Sequence, residues 1–229
     1  MSFMENNDFF KFENKDKDFP IYLNNPHVSK AAWVVLFLLL IPGILLVSDS
    51  SMLSSTMSCF IILIPLLYYI NWDYKLLFNK PKQKDILLAV ALFIGYIVYS
   101  LVIMMVISPL DLSSAMVDTQ TSLMVIPPMA ISLITEELIK FIPFIFFLRL
   151  FYKYSGNRKL SVIVSVLVVM VFFAFLHSFA IEYFLFALIV QGFGSIFEFY
   201  GYIKTKNLWI PYITHLCTDV FITLLMIFG

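Results

Sequence analysis

Charged residues are scarce in this chain of 229 residues. Only 13% are Asp, Glu, Lys or Arg, about half the share found in soluble domains, while 61% are hydrophobic and the mean hydropathy is +0.93. This composition excludes a soluble globular domain and is typical of an integral membrane protein. The formal net charge is zero, so the charge balance indicates no nucleic-acid partner and no acidic ligand.

Cysteines are also few. Cys59 and Cys217 both lie in apolar segments, so they predict neither a disulfide framework nor a thiolate metal site. The chain has no internal repeat, no low-complexity tract and no H-E-x-x-H zinc motif. We therefore expect one membrane domain over residues 30–229, preceded by a polar cytoplasmic tail over residues 1–29. That tail has no cleavage pattern and is not expected to be a signal peptide.

Seven apolar stretches follow the tail, each near the roughly 20 residues that a spanning helix needs. They predict an all-α polytopic membrane bundle of about seven helices. Pro127 and Pro128 are expected to break or kink the start of the fourth. The stretches lie at about 31–48, 56–72, 84–108, 122–149, 160–180, 183–203 and 208–228.

Lysine and arginine are absent from every second loop. Fourteen of the fifteen basic residues lie before the first stretch or in the loops after the second, fourth and sixth. The remaining loops carry Asp49, Asp111, Asp118 and Glu182 instead. Because basic residues stay on the cytoplasmic side, the N-terminus is predicted inside and the C-terminus outside.

The fifteenth basic residue lies within the fourth stretch. ISLITEELIKFIPFIFF, over residues 131–147, places Glu136, Glu137 and Lys140 in an apolar run. A carboxylate at bilayer depth costs roughly 2.5 kcal/mol or more, and two adjacent carboxylates repel each other. This pattern predicts either a group held ready for proton transfer or a structural ion pair with Lys140.

Other polar residues lie inside the later predicted helices. Phe173 and His177 are four positions apart, as are His215 and Asp219, so each pair shares one helix face. Side chains of the fourth, fifth and seventh helices are therefore predicted to converge on one interior site. Glu198, on the sixth helix, is expected near the cytoplasmic end, either as an adjunct to the site or as a snorkelling surface residue.

The order of these motifs resembles the CAAX-protease and bacteriocin-processing (CPBP, Abi-type) family of intramembrane endopeptidases. Its Glu-Glu, F-x-x-x-H and H-x-x-x-N/D motifs are matched by Glu136-Glu137, Phe173 to His177 and His215 to Asp219. GFGSIFEFYGYIKTKNLWIPYITH, over residues 192–215, is similar to the family's approach to its last motif. The resemblance covers about 122–225 and implies that the catalytic core lies there.

The resemblance implies hydrolysis of a peptide bond in a membrane-associated, lipidated or leader peptide. Glu136 would be the general base acting on a water, and His177 would bind that water or protonate the leaving amine. His215 and Asp219 would hold the oxyanion, while Glu137, with Lys140, would tune the charge around the base. Cys217 lies on another face of its helix and is not expected to be a nucleophile.

Two positions depart from the family pattern. Phe141 stands where the family usually has Arg, with Lys140 one place earlier, and Asp219 stands where well-characterised members have Asn. An asparagine amide can donate to an oxyanion, whereas an ionised aspartate cannot. Asp219 is therefore expected to be protonated, to orient His215, or to mark a site that differs from those relatives.

Three alternatives stay open at this point. Glu136, His177 and His215, with or without Asp219, could instead ligate a catalytic zinc ion, although the resemblance favours a metal-free glutamate mechanism. A non-catalytic role in bacteriocin self-immunity or as a sensor-kinase scaffold is the second, and a proton-coupled transporter is the third. In each case the expected location is a bacterial plasma membrane.

Overall fold

A computed structural model describes residues 28–49, 51–107, 122–178 and 181–229, with only the backbone of Ile181 and Glu182. Most of the predicted tail, including its expected interfacial turn near Phe9, Phe10 and Phe12, lies outside the described residues, as do Asp111 and Asp118. The described residues form helices α1 to α8, namely Lys30–Val47, Met52–Tyr69, Gln83–Ile107, Ile126–Ser155, Arg158–His177, Ile181–Ala187, Ile196–Thr205 and Trp209–Phe228. A π-helical turn, Leu188–Phe193, joins α6 to α7, and 3-10 turns occupy Tyr74–Leu76 and Leu123–Val125.

The predicted all-helical polytopic bundle is confirmed. Within the described residues, six helices are long and apolar enough to cross a membrane: α1, α2, α3, α5, the run through the π turn into α7, and α8. The seventh long helix, α4, has 30 residues, and Glu136, Glu137 and Lys140 make it more polar than the others. The second span begins at Met52 rather than near 56, because Ser51 caps it by accepting from the Ser54 amide.

Helix α4 lies at the centre of the bundle. It packs against α1, α2, α5 and α8. Its apolar residues Leu138, Ile142, Phe144 and Leu148 are fully buried, whereas most of α3 is exposed on the outside. The charged residues of α4 are therefore enclosed by other helices, which is the arrangement expected for ionisable groups at membrane depth.

Both ends of α4 follow from local sequence. Pro127 and Pro128 occupy its first turn. Because N–H groups in that turn have no intrahelical acceptor, the prolines lose no hydrogen bond and start the helix rather than break it. The helix ends at Gly156, which has φ +61° and takes the left-handed cap position that favours glycine. Asn157 then caps α5 by accepting from the Leu160 amide.

The loop between α2 and α3 is tied to the turn between α7 and α8. Asn207 accepts from the Asn79 amide at 3.1 Å and donates to the Asn79 carbonyl at 2.8 Å, and the Leu208 amide donates to Leu77 O at 2.9 Å. These two connections therefore lie on the same side of the bundle, as the pattern of basic residues predicts. That this side is cytoplasmic stays a prediction.

Two glycines allow the π turn to sit close to its neighbours. A Cβ on Gly192 would lie 2.9 Å from the Met170 carbonyl oxygen of α5, and one on Gly194 would lie 2.6 Å from the Tyr96 ring of α3. Tyr99 of α3 also donates to Ile189 O within the turn, at 2.5 Å. Helices α3 and α5 thus hold the π turn on both sides, and such turns often occur at functional sites.

Candidate active site

Glu136 and Glu137 point in different directions although they are neighbours on α4. Successive residues of an α-helix are about 100° apart around the axis, so adjacent side chains cannot share one face. Glu136 lines an open cavity. Glu137 is turned toward α7 and α8 and is 4% exposed. The Glu-Glu motif therefore supplies one carboxylate to the cavity and one to the packed interior behind it.

A buried cluster of charged groups surrounds Glu137. Lys140 Nζ donates to Glu137 Oε1 at 2.6 Å and also contacts Glu198 Oε2. His215 Nδ1 lies 2.8 Å from Glu137 Oε1 and 3.7 Å from Glu198 Oε1. All four residues are buried, so each charge is compensated by direct partners instead of water.

Glu198 belongs to this cluster, in keeping with the first of its two expected roles, an adjunct to the site. The interpretation of Glu198 as a snorkelling surface residue is wrong, since it is 5% exposed. Its expected partnership with a basic residue is met by Lys140 at the centre of the bundle rather than by a residue at the cytoplasmic end. The one signal available in the sequence was the cost of placing a carboxylate in an apolar helix.

His177 is the last residue of α5 and is exposed along the cavity. Its Nδ1 lies 2.9 Å from the carbonyl oxygen of Phe173. Because a carbonyl can only accept, Nδ1 carries the proton and Nε2 is the ring nitrogen free for other partners. The Phe173 ring packs edge-on against the imidazole at 4.5 Å and lies 4.8 Å from Lys140 Nζ, so it separates His177 from the buried cluster.

His215 lies between the buried cluster and the cavity. Its Nδ1 faces Glu137, and its Nε2 is 3.6 Å from Asp219 Oδ2, one turn further along α8. The Asp219 side chain is 32% exposed and lines the cavity. The third motif therefore contacts Glu137 in the buried cluster through His215 and lines the cavity with both His215 and Asp219.

The cavity has a volume of about 440 Å³ and brings together four of the five predicted catalytic residues: Glu136, His177, His215 and Asp219. The fifth, Glu137, contacts His215 from behind. The cavity lining also includes Glu198, expected as an adjunct or a surface residue, and two polar residues that the sequence did not assign to the site, Tyr96 and Gln191. The five apolar lining residues are Phe173, Phe186, Val190, Ile222 and Met226.

The length of the cavity explains how His177 and His215 can share it. The sequence places His177 at the far end of α5 and His215 near the start of α8, at different depths in the membrane. The residues of α8 that line the cavity extend from His215 to Met226. Because an α-helix rises 1.5 Å per residue, the cavity extends about 16 Å along α8. One elongated cavity therefore reaches both imidazoles.

The buried groups that could ligate a metal ion are already arranged around the ammonium group of Lys140. Among the described residues, the one group close enough to ligate a metal is Glu137, Glu198 and His215, whose ligand atoms lie within 4.8 Å of one another. Lys140 Nζ bonds both carboxylates of that group and lies 3.5 Å from His215 Nδ1. A metal there would have to displace Lys140. Of the predicted ligands, His215 is in this group, whereas Glu136, His177 and Asp219 are not.

Comparison with known protein families identifies this part of the chain. Residues 118–221 match the family model described as type II CAAX prenyl endopeptidase Rce1-like. The match covers 104 of the 229 residues, so this segment is similar to that family. The Rce1-like segment contains all five predicted catalytic residues, and the resemblance drawn from the motifs is confirmed. Neither the curated proteins nor the solved structures gave a match to the chain.

Similarity to the Rce1-like family supports a CAAX-type intramembrane endopeptidase activity in general terms, with a peptide or protein substrate at the membrane. Together with the six apolar helices, it supports a multi-pass membrane protein. It gives no specific support to bacteriocin processing or immunity, and a bacterial plasma membrane stays a prediction.

Proposed function

We propose that this protein is a glutamate-dependent intramembrane protease in which Glu136 activates a water to attack a peptide bond. The observation that carries the proposal is the shared cavity of Glu136, His177, His215 and Asp219. Among the described residues, none donates a hydrogen bond to the Glu136 carboxylate, so this carboxylate is available to a water in the cavity. A base must reach the proton that it abstracts, and an open carboxylate beside a histidine meets that requirement.

His177 serves the same water or the leaving amine. Its Nδ1–H is engaged by the Phe173 carbonyl, which leaves Nε2 as the reactive nitrogen. As a neutral base, Nε2 accepts a hydrogen bond from the attacking water. The proton that Glu136 takes from the water then passes through Nε2 to the amine as the peptide bond breaks, which returns both residues to their starting state. The F-x-x-x-H spacing supplies the carbonyl that fixes this orientation.

His215 and Asp219 stabilise the oxyanion. The buried cluster contains two carboxylates and one ammonium, so a protonated His215 balances its charge. In that state Nδ1–H donates to Glu137 and Nε2–H is left for the developing oxyanion in the cavity. A protonated Asp219 adds a second donor beside Nε2, in the position where relatives have an asparagine amide.

Lys140 and Glu198 hold this arrangement in place. Lys140 Nζ is bonded to both carboxylates and fixes the Glu137 oxygen that accepts from His215. It thus takes the place of the arginine in the family's first motif, one residue earlier in the chain. Glu198 is a positioning residue in this account, because it acts on the reaction through Lys140.

The proposal is metal-free, and the position of Lys140 among the potential ligands supports it. We expect activity to survive exhaustive chelation, measured on purified protein by cleavage of a fluorogenic membrane peptide after dialysis against a strong chelator. Loss of cleavage on chelation, with recovery on adding Zn²⁺, would instead assign the site to a metalloprotease. Protein without chelator, carried through the same dialysis, is the control.

The activity itself is tested in cells by comparing the wild type with Glu136→Ala and measuring uncut membrane peptides. We expect uncut substrate to accumulate in the variant while the protein is present at normal levels. Glu13→Ala, which removes a carboxylate from the predicted N-terminal tail, is the matched control and should behave as wild type. If Glu136→Ala leaves both the peptides and the cellular phenotype unchanged, the immunity or scaffold role is favoured.

A further inference from the structure

A second cavity of about 760 Å³ lies on the side of the bundle that carries the α2–α3 loop. It shares no lining residue with the catalytic cavity. Helix α2, the loop after it, α4 and α8 all contribute to its wall. The lining residues are Leu63, Tyr74, Lys75, Phe78, Asn79, Lys80, Ile134 and Trp209.

The walls of this second cavity are held in place by direct contacts. Asn79 forms two hydrogen bonds with Asn207, at 3.1 and 2.8 Å, in the turn before α8. The Phe78 and Trp209 rings pack at 5.1 Å, and Leu77 beside them is fully buried. The cavity is therefore a built part of the fold and not a gap beside a loose loop.

The start of the loop has an unusual backbone. Asn71 and Trp72 follow α2 with φ of 55° and 59°, the left-handed region that L-residues with bulky side chains rarely adopt. Such conformations cost on the order of 1 kcal/mol or more and persist where the surroundings require them. Here the backbone leaves Trp72 57% exposed just beyond the end of a spanning helix, where tryptophans of membrane proteins meet the headgroups.

The chemistry of the cavity changes from one end to the other. Lys75 and Lys80 are exposed cations on the loop, and no carboxylate among the described residues lines the cavity. Tyr74 and Trp209 are aromatic residues at the first positions of a 3-10 turn and of α8. Leu63 and Ile134 are aliphatic residues within the apolar helices α2 and α4. The cations would pair with the phosphate of a phospholipid and the aliphatic side chains with an acyl chain, while the aromatic residues suit the interface between them.

We propose that this cavity binds an anionic phospholipid, with its phosphate at Lys75 and Lys80 and one acyl chain along Leu63 and Ile134. The predicted orientation places the cavity in the cytoplasmic leaflet, where anionic lipids are concentrated. Basic pockets between spanning helices on that side are suited to lipid headgroups. The bound lipid would link α2, α4 and α8 at one site.

The test measures lipid binding, not proteolysis. Purified protein in neutral detergent is titrated with phosphatidylglycerol or with phosphatidylcholine of the same acyl chains, and bound lipid is counted by native mass spectrometry. We expect the wild type to retain phosphatidylglycerol preferentially. Lys75→Ala/Lys80→Ala should weaken that binding about 30-fold, since each lysine near an anionic surface contributes roughly a factor of five. Lys82→Ala/Lys84→Ala removes the same charge from the end of the loop and the first turn of α3, at residues that do not line the cavity, and should bind as wild type.

A second measurement locates the lipid without relying on charge changes. In a Trp72→Phe background, brominated phosphatidylglycerol should quench the emission of Trp209 more than brominated phosphatidylcholine does, and Trp209→Phe should remove that difference. Inorganic phosphate and glycerophosphate should compete poorly, which would distinguish a lipid from a free phosphate ligand. Equal binding of the two lipids, equal losses in both lysine pairs, or full competition by glycerophosphate would each overturn the proposal.

Discussion

Glu137 Oε1 lies 2.8 Å from His215 Nδ1, across 78 positions of sequence. The second glutamate of the first motif is therefore the residue that orients the histidine of the third. This contact explains why two adjacent glutamates are useful at bilayer depth. One carboxylate faces the cavity, where we propose that it acts as the base, and its neighbour holds an imidazole that lines the same cavity.

Lys140→Met should destabilise the protein more than any change to the cavity. The substitution keeps an apolar stem of similar length but leaves Glu137 and Glu198 buried without their shared cation. Removing one partner of a buried ion pair costs about 3 to 5 kcal/mol. Thermal unfolding in detergent measures this, with exposed Lys159→Met as the control.

A companion variant tests the reason for that loss. Lys140→Met/Glu198→Gln removes one of the two stranded carboxylates, so it should be more stable than Lys140→Met alone. If the double variant is less stable than the single one, the cost does not come from uncompensated charge, and the ion-pair explanation of the cluster is wrong.

Glu198→Gln should lower activity without abolishing it. Lys140 keeps its bond to Glu137 in this variant, so the orientation of His215 is weakened but retained. We expect a fall in kcat of roughly 10-fold, because a hydrogen bond to a charged group contributes about 1.5 kcal/mol at the low end. A complete loss of cleavage at normal protein levels would mean that the catalytic acids have been assigned wrongly.

Asp219→Asn should preserve activity to within about 10-fold. If Asp219 is a protonated donor to the oxyanion, an amide of the same shape makes the same bond, as in relatives with asparagine at this position. Asp219→Ala, which has no donor, is the matched comparison and should lose more. A cripplingly low rate in Asp219→Asn would show that the carboxylate is an ionised partner of His215 or a metal ligand.

The membrane orientation is tested with reporter fusions. A reporter placed in the turn between α4 and α5, near Lys153 and Arg158, should be active only in its cytoplasmic form, because the basic residues collect on that side. A reporter after Asp49, between α1 and α2, should be active in its external form. The reverse pattern would invert the topology and move the lipid cavity to the outer leaflet.

The sequence predicted most of the fold because each part of that prediction is local. Apolar length defines a spanning helix within one stretch, and the spacings of four in the second and third motifs place each pair on one helix face. The start of α2 was placed too late because apolar length does not register a helix cap. Ser51 accepts from the Ser54 amide, so the helix begins before its apolar run does.

The site was predicted as far as its motifs extend. Glu198 was expected either as an adjunct or as a surface residue. Its partner could not be named because Lys140 is 58 positions away, and no spacing rule connects two residues on separate helices. Tyr96 and Gln191 were missed for a related reason. Tyr96 reaches the cavity from α3, a helix without a motif, and Gln191 lies in a π turn whose altered winding no apolar periodicity predicts.

The most direct test of the account is the cleavage rate of purified Glu136→Gln relative to wild type, measured with a fluorogenic membrane peptide. Glutamine keeps the volume of the side chain and removes the charge next to Glu137, so the variant should insert and unfold thermally like wild type or somewhat better. A general base contributes about 100-fold to 10,000-fold in rate, and we predict a loss in kcat of that size. A folded Glu136→Gln that cleaves at the rate of wild type would contradict the account.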